Sequence, residues 1–206
     1  MNTQPDWHDT LGRWFQMATA SVMSALLLGC AQAEAPQASS AAVKLGEPQS
    51  LLIQGYNYTD DYIDSFTVNG QGGGNVRPSG PYTGGGGGVC CVSYSPGTPL
   101  PIKLKIRWVG GYCMERVKSP YPYGKPYHDH RRNLWLEAEA IADDVSNGKP
   151  RTLEVHFYTD GHVEAAISDG NSPARLKLQV DDKGERPGVQ HNYPNCTDDQ
   201  LKQSRQ

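Results

Sequence analysis

Ile102, Leu104, Ile106 and Trp108 alternate with Lys103, Lys105 and Arg107. Successive side chains of an extended chain point to opposite faces, so this stretch has one apolar and one cationic side. A strand that covers a core on one face and meets water on the other satisfies both. The same period of two recurs at residues 51–58, at 63–68 closed by Asn69-Gly70, and at 175–180, where Leu176, Leu178 and Val180 are expected to point inward. Residues 134–142 have a helix-forming composition. Their spacing predicts a strand, because Leu134, Leu136, Ala138 and Ala140 share one parity while Trp135, Glu137 and Glu139 share the other. No long stretch carries a convincing helical period. The expected fold is all-β or mainly β, a single antiparallel β-sandwich-like domain.

Residues 153–167 permit a register argument. Leu153, Val155 and Phe157 form one apolar set, and Val163, Ala165 and Ile167 another. A two-residue Asp160-Gly161 loop would put these sets on opposite faces. A three-residue Thr159-Asp160-Gly161 turn, with Gly161 left-handed, pairs Phe157 with Val163 and Val155 with Ala165, and is the expected form.

Residues 71–88 read as one long loop holding Gly72-Gly73-Gly74 and then Gly84 through Gly88. A phosphate-cradling loop needs a Lys-Ser or Lys-Thr and a helix after it, whereas Val89-Cys90-Cys91 follows here, so nucleotide binding is not expected. Bare glycine backbone lets a partner approach closely. Gly84, Gly86 and Gly88, with the aromatics Tyr82, Tyr94 and Trp135, are therefore the candidate partner-binding residues.

Ahead of this domain lies an apolar run ending Leu27-Leu28-Gly29-Cys30. The pattern is that of a bacterial lipoprotein box, in which the Cys thiol takes a diacylglycerol group and the preceding peptide is removed. The run from Trp14 to Leu28 is short for a membrane span and is diluted by Gln16, Thr19, Ser21 and Ser24. Arg13 is the one cation ahead of it, opposed by Asp6 and Asp9, and Met17 is an alternative start. The expected organisation is a signal peptide over residues 1–29, lipidated Cys30 with a flexible linker over 30–48, and a β-rich domain over 49–206. Removing 29 of the 206 residues leaves 177, one domain's worth of chain. The linker has almost nothing large and apolar to bury, and as a coil its 18 residues after the Cys reach on the order of 25 Å. Ala31 in place of an Asp after Cys30 favours the outer membrane, so the expected location is its periplasmic face.

An oxidising compartment makes the four remaining cysteines, Cys90, Cys91, Cys113 and Cys196, disulfide candidates. A bridge between neighbours is disfavoured because strand side chains alternate faces. That leaves Cys90 with Cys113 and Cys91 with Cys196, or the crossed pairing; the first is preferred.

Catalytic signals are sparse. His128-Asp129-His130 resembles a fragment of a metal site that His156 and His162 could join, but an exposed polar turn explains it equally well. No nucleophile elbow is present, and Asp60-Asp61 and Asp143-Asp144 sit where solvated turn residues are the default. The expected protein is no enzyme, with no cofactor and no metal. A net charge of −3 offers nothing to nucleic acid.

Gly55-Tyr56-Asn57-Tyr58-Thr59-Asp60, residues 63–68, Gly73-Gly74-Asn75-Val76, the glycine run into Val89-Cys90-Cys91-Val92-Ser93, and Ile106-Arg107-Trp108 together resemble the lipoproteins grouped as domain of unknown function 3304. Leu153-Glu154-Val155-His156-Phe157 is similar to that family's later part. The resemblance covers roughly residues 52–167. It implies an exported lipoprotein, some of whose relatives lie beside type VI secretion phospholipase effectors and are thought to act as immunity proteins. It carries over no catalytic residue. The expected partner is thus a secreted lipase or phospholipase, met in the periplasm by a protein held there through its lipid anchor. The alternative is a structural envelope lipoprotein supporting a secretion system or the outer membrane.

Overall fold

The computed structural model describes residues 44–204 apart from Thr83 and Gly87. The expected signal peptide, Cys30 and the linker as far as residue 43 lie outside the described residues. Eight strands follow in order: β1 (Gln49–Asn57), β2 (Ile63–Val68), β3 (Gln71–Val76), β4 (Val89–Tyr94), β5 (Ile102–Lys118), β6 (Tyr127–Asp144), β7 (Thr152–Phe157) and β8 (Val163–Ser168), with one short helix, α1 (Asp198–Gln203), near the C-terminus.

All eight strands join one sheet in the order β3-β2-β5-β6-β8-β7-β1-β4. The mainly β class expected from period-two alternation is what forms, with two details that periodicity does not encode. The strands make one continuous, curled sheet, and β1 with β7 and β6 with β8 are parallel pairs. The β7–β8 hairpin inserts between β1 and β6, so strand direction is decided by which strands are neighbours, not by their side-chain patterns.

The inner face carries the core. Ile53, Phe66, Val68, Ile106 and Val155 are fully buried, with Trp108 and Phe157 close behind. Phe157 meets Phe66 edge-on at 5.2 Å between ring centres and Trp108 at 5.6 Å. The β7–β8 register is the expected one, Phe157 with Val163 and Val155 with Ala165, and Gly161 takes φ +84° in the turn. A one-residue slip would turn Val163, Ala165 and Ile167 out of the core.

Three expectations are corrected. Residues 71–76, read as loop, are β3: Asn69 and Gly70 both have positive φ, 50° and 83°, and turn the chain in a tight hairpin that pairs Val68 with Gln71. The glycines of β3 answer to packing, since a Cβ on Gly73 would stand 2.1 Å from the Phe66 ring. Residues 175–180 form no strand, and Leu176 and Leu178 are 40% and 37% exposed. The disulfides join Cys90 to Cys91 and Cys113 to Cys196. A cis peptide brings the Cα atoms of the neighbouring pair to 3.1 Å, in a register shift where β1 residues Leu51 and Leu52 oppose Val92 and Cys90. Strand alternation, the reason for dismissing this pair, does not hold across that shift.

The long hairpin of β5 and β6 pairs from Ile102 with Ala142 to Lys118 with Tyr127, with one register shift at Gly110. Its far half has no flanking strand, because β2 reaches only Ile106 to Trp108 and β8 only Ala142 to Asp144. The C-terminal segment braces this arm at its root. Met114 donates to Pro194 and accepts from Cys196 on the main chain, the Cys113–Cys196 bridge lies alongside, and Gln203 of α1 donates to the Trp135 carbonyl.

Candidate functional site

The edge strands β3 and β4 approach without pairing. The glycine run closes the seam between β1 and β3. Beyond Ile53, where β4 ends its pairing with β1, Gly85 takes over that edge opposite Tyr56. The Gly85 carbonyl accepts from Arg77 N at 2.8 Å at the end of β3, the Gly86 carbonyl from the Gln54 amide, and the Gly84 carbonyl from the Ser79 hydroxyl. A Cβ on Gly85 would lie 2.1 Å from the Arg77 carbonyl oxygen, and its φ is +84°. Only glycine fits a backbone this close to another in this conformation. Arg186, buried, locks the neighbouring turn by donating to the main-chain oxygens of Asn57 and Ser79.

Over this seam lies a depression of about 580 Å³. Gln54 and Tyr56 line it from β1, Gly84, Gly86, Gly88 and Tyr82 from the glycine segment, and Asn171, Ser172, Pro173 and Lys177 from the chain after β8. Tyr82 stands 92% exposed at the rim. Shape, bare backbone, two amides, a few hydroxyls and one cation are what the depression offers a partner.

Beside it, the outer faces of β1, β7 and β8 hold a second, polar layer. β7 is buried at every position, so its alternation puts Leu153, Val155 and Phe157 inward and Glu154 and His156 into this layer. The His156 ring stacks on Tyr56 at 4.5 Å and receives the Tyr58 hydroxyl at Nδ1, 3.1 Å. Tyr58 accepts from Arg175 N at 2.8 Å, so its own proton points to His156 and leaves the imidazole proton on Nε2. That nitrogen faces Glu154 at 3.6 Å, longer than a hydrogen bond. Glu154 accepts instead from Ser168 Oγ and Ser172 N, each at 2.8 Å, while the Tyr56 hydroxyl donates to the Ser172 carbonyl at 2.5 Å. The network fastens residues 172–175 to the sheet.

Its electrostatics follow from burial and bonding. Burial alone would raise the Glu154 pKa, but the His156 ring facing it and the hydrogen bonds from Ser172 and Ser168 overcome that and hold it down to about 2. Burial lowers the His156 pKa against the pull of Glu154, keeping the ring neutral. Burial and the Glu154 charge raise that of Tyr56. Ser, His and Glu are the residue types of an acyl-transfer triad, but the serine here donates to the carboxylate, not to the imidazole, and Glu154 and His156 are 2% and 0% exposed. The arrangement orders a segment of chain and is not the hydrogen-bond order of a triad.

Of the residues singled out from sequence, Tyr82, Gly84, Gly86 and Gly88 meet around this one depression. Tyr94 does not join them: it is buried near the start of β1, where its hydroxyl donates to Asp144 at 2.8 Å and burial with that bond raises its pKa to about 12. Trp135 lies on β6, three strands from β1, beneath the Arg107 guanidinium at 4.5 Å. His128 and His130 sit on β6 opposite Val117 and Glu115, and not on a turn. His162 caps the β7–β8 turn against Asp160. Among the described residues no group of three or more His, Cys, Asp or Glu could hold a metal ion, and no helix is long and apolar enough to cross a membrane. Sequence reading missed the Glu154–His156 layer and buried Arg186. The signal for the former was two polar side chains alternating with Leu153, Val155 and Phe157, in register with Gln54, Tyr56 and Tyr58.

No curated protein and no solved structure matches this chain. A family model does, over residues 56–165, just over half of the chain. That span runs from β1 through the glycine seam and the long hairpin into β8, and on it the chain belongs to the family described as "Protein of unknown function (DUF3304)".

Proposed function

We propose that this chain is a lipid-anchored periplasmic binding protein that neutralises a secreted lipase or phospholipase, an immunity protein against a type VI secretion effector. The observation that carries the reading is the depression at the glycine seam. Its rim tyrosine is almost wholly exposed, its lip is bare backbone held by hydrogen bonds, and its floor is braced by the Tyr56–His156 stack. A rigid concave surface with an aromatic at its edge loses little entropy on docking, which is what tight occlusion of another protein's active-site mouth needs. Supporting it are the lipoprotein box at Cys30 and the tether behind it, which would hold the inhibitor where a lipid-degrading toxin acts. The chemistry is recognition: Glu154 and His156 are buried and do not line the depression.

The test uses the mature chain as bait in lysate of the source bacterium with its secretion genes active. Capture of one lipase-like secreted protein whose lipid hydrolysis falls stoichiometrically with added bait is the expected outcome. Tyr82→Ala is expected to weaken that inhibition by roughly 30-fold, the effect of losing one interfacial aromatic anchor. Capture of resident envelope components alone, with every lipase unaffected, would instead make this a structural envelope lipoprotein.

A further inference from the structure

We infer that the tip of the β5–β6 arm is a membrane-contact element that docks on an anionic phospholipid surface. Six residue pairs beyond Tyr112 and Asn133, the arm ends at Lys118 and Tyr127, a projection of about 20 Å at strand rise. Residues 119–126, Ser-Pro-Tyr-Pro-Tyr-Gly-Lys-Pro, close it. The hydrogen bonds of the tip stay within it: Ser119 N donates to the Pro126 carbonyl at 2.9 Å, Tyr121 N to the Ser119 hydroxyl at 3.2 Å, and His128 meets that hydroxyl at 3.0 Å. Tyr121, Tyr123 and Tyr127 are 73%, 88% and 53% exposed.

Three properties converge on a lipid headgroup layer. The first is charge. Residues 114–132 hold Arg116, Lys118, Lys125, Arg131 and Arg132 against Glu115 and Asp129, a net +3; the whole chain carries −3, of which Asp6, Asp9, Glu34 and Arg13 ahead of the domain account for −2, so the rest of the domain carries −4. Arg116 pairs with Asp129 and Arg132 with Glu115, so Lys118 and Lys125, at the extremity, face outward. Such segregation orients the arm toward an anionic surface and the rest of the domain away from it. The second is the aromatic type. All three exposed rings are tyrosines, with an apolar body and a polar end, suited to headgroup depth. The third is the backbone. Pro120, Pro122 and Pro126 have no N–H, which removes three donors that would otherwise be stripped of water on entering the interface. An acidic protein surface would match the charge, but the three amphipathic rings held at one extremity suit the depth of a headgroup layer.

This inference stands apart from the effector reading and is tested apart from it. Residues 41–206 cluster as one compact unit with all eight strands and both disulfides, and this fragment lacks the Cys30 anchor. Co-sedimentation is measured with phosphatidylcholine vesicles and with vesicles containing roughly one-third phosphatidylglycerol. The expected result is binding to the anionic vesicles alone, falling as salt rises. It should weaken at least about tenfold in Lys118→Glu with Lys125→Glu, and likewise in Tyr121→Ser with Tyr123→Ser. Thermal unfolding should be unchanged in both, since the tip lies outside the core. No binding to anionic vesicles, equal binding to neutral ones, or binding that both variants retain would overturn it; in the last case, loss of a captured protein by the same variants would make the arm a protein-docking element.

Discussion

The glycine run and the Pro-Tyr tip look alike on paper: two low-complexity, turn-rich stretches without periodicity. In the fold they are opposites. The glycines are packed into the seam between β1 and β3, with Gly85 against the Arg77 main chain, whereas the hydrogen bonds of the tip stay within its own hairpin. A string of glycines can therefore mark the tightest backbone contact in a domain as readily as the loosest loop. What separates the two is whether neighbouring edges leave a gap that only backbone can fill.

The comparison can be broken most severely at Gly85. Gly85→Val sets a branched side chain against a carbonyl at positive φ, and a loss of about 4 kcal/mol or failure to accumulate folded protein is expected in chemical denaturation. Wild-type stability in that variant would mean that the seam is slack. Next comes the brace of the arm. Replacing both Cys113 and Cys196 by Ser releases a closure of 83 residues in sequence separation and should cost about 3 kcal/mol, with protease cutting first after residue 190; an unchanged melting temperature and intact C-terminus would remove the brace from the account.

A smaller effect is expected from the polar layer that supports the seam. Glu154→Gln leaves the donors of Ser168 and Ser172 facing a neutral acceptor, for about 2 kcal/mol at neutral pH. The wild-type pH dependence has a defined sign. The folded pKa values of His156 and Glu154 both lie below their ordinary values of 6.5 and 4.5. The unfolded chain therefore takes up protons first, and stability falls as pH drops below 6.5 and again between 4.5 and about 2. Glu154→Gln should shrink the second fall, to which Asp144 and the other carboxylates of lowered pKa also contribute, and a fall of unchanged size in urea titrations across pH would assign it to those carboxylates alone. At the small end, Tyr121→Ala with Tyr123→Ala should shift stability by less than about 0.5 kcal/mol, as surface changes do. A larger loss would show that the arm is held by the fold and is not free.

Alternation in the sequence was enough to identify β1, β2, the start of β5, the β6 stretch and the β7–β8 turn with its register, because period-two burial is a local property and a slipped register would expose Val163, Ala165 and Ile167. The bare backbone of the glycine run was the reason for grouping Gly84, Gly86 and Gly88 with Tyr82, Tyr94 and Trp135; of these aromatics, Tyr82 alone lines the depression with the glycines. Partner edges, strand direction and closure were decided only in three dimensions. Leu176, Leu178 and Val180 alternate as well as any strand, yet residues 175–180 form none, and Leu176 and Leu178 stay 40% and 37% exposed. Gly72, Gly73 and Gly74 are poor strand formers, yet Phe66 needs the room that Gly73 leaves. Tyr94 and Tyr82 are the same residue type twelve positions apart; one was drawn into the interior beside Asp144 and the other left at the rim of the seam. Local pattern states which face of a strand avoids water. What that face meets depends on the order in which the strands close, and no single stretch of chain contains that order.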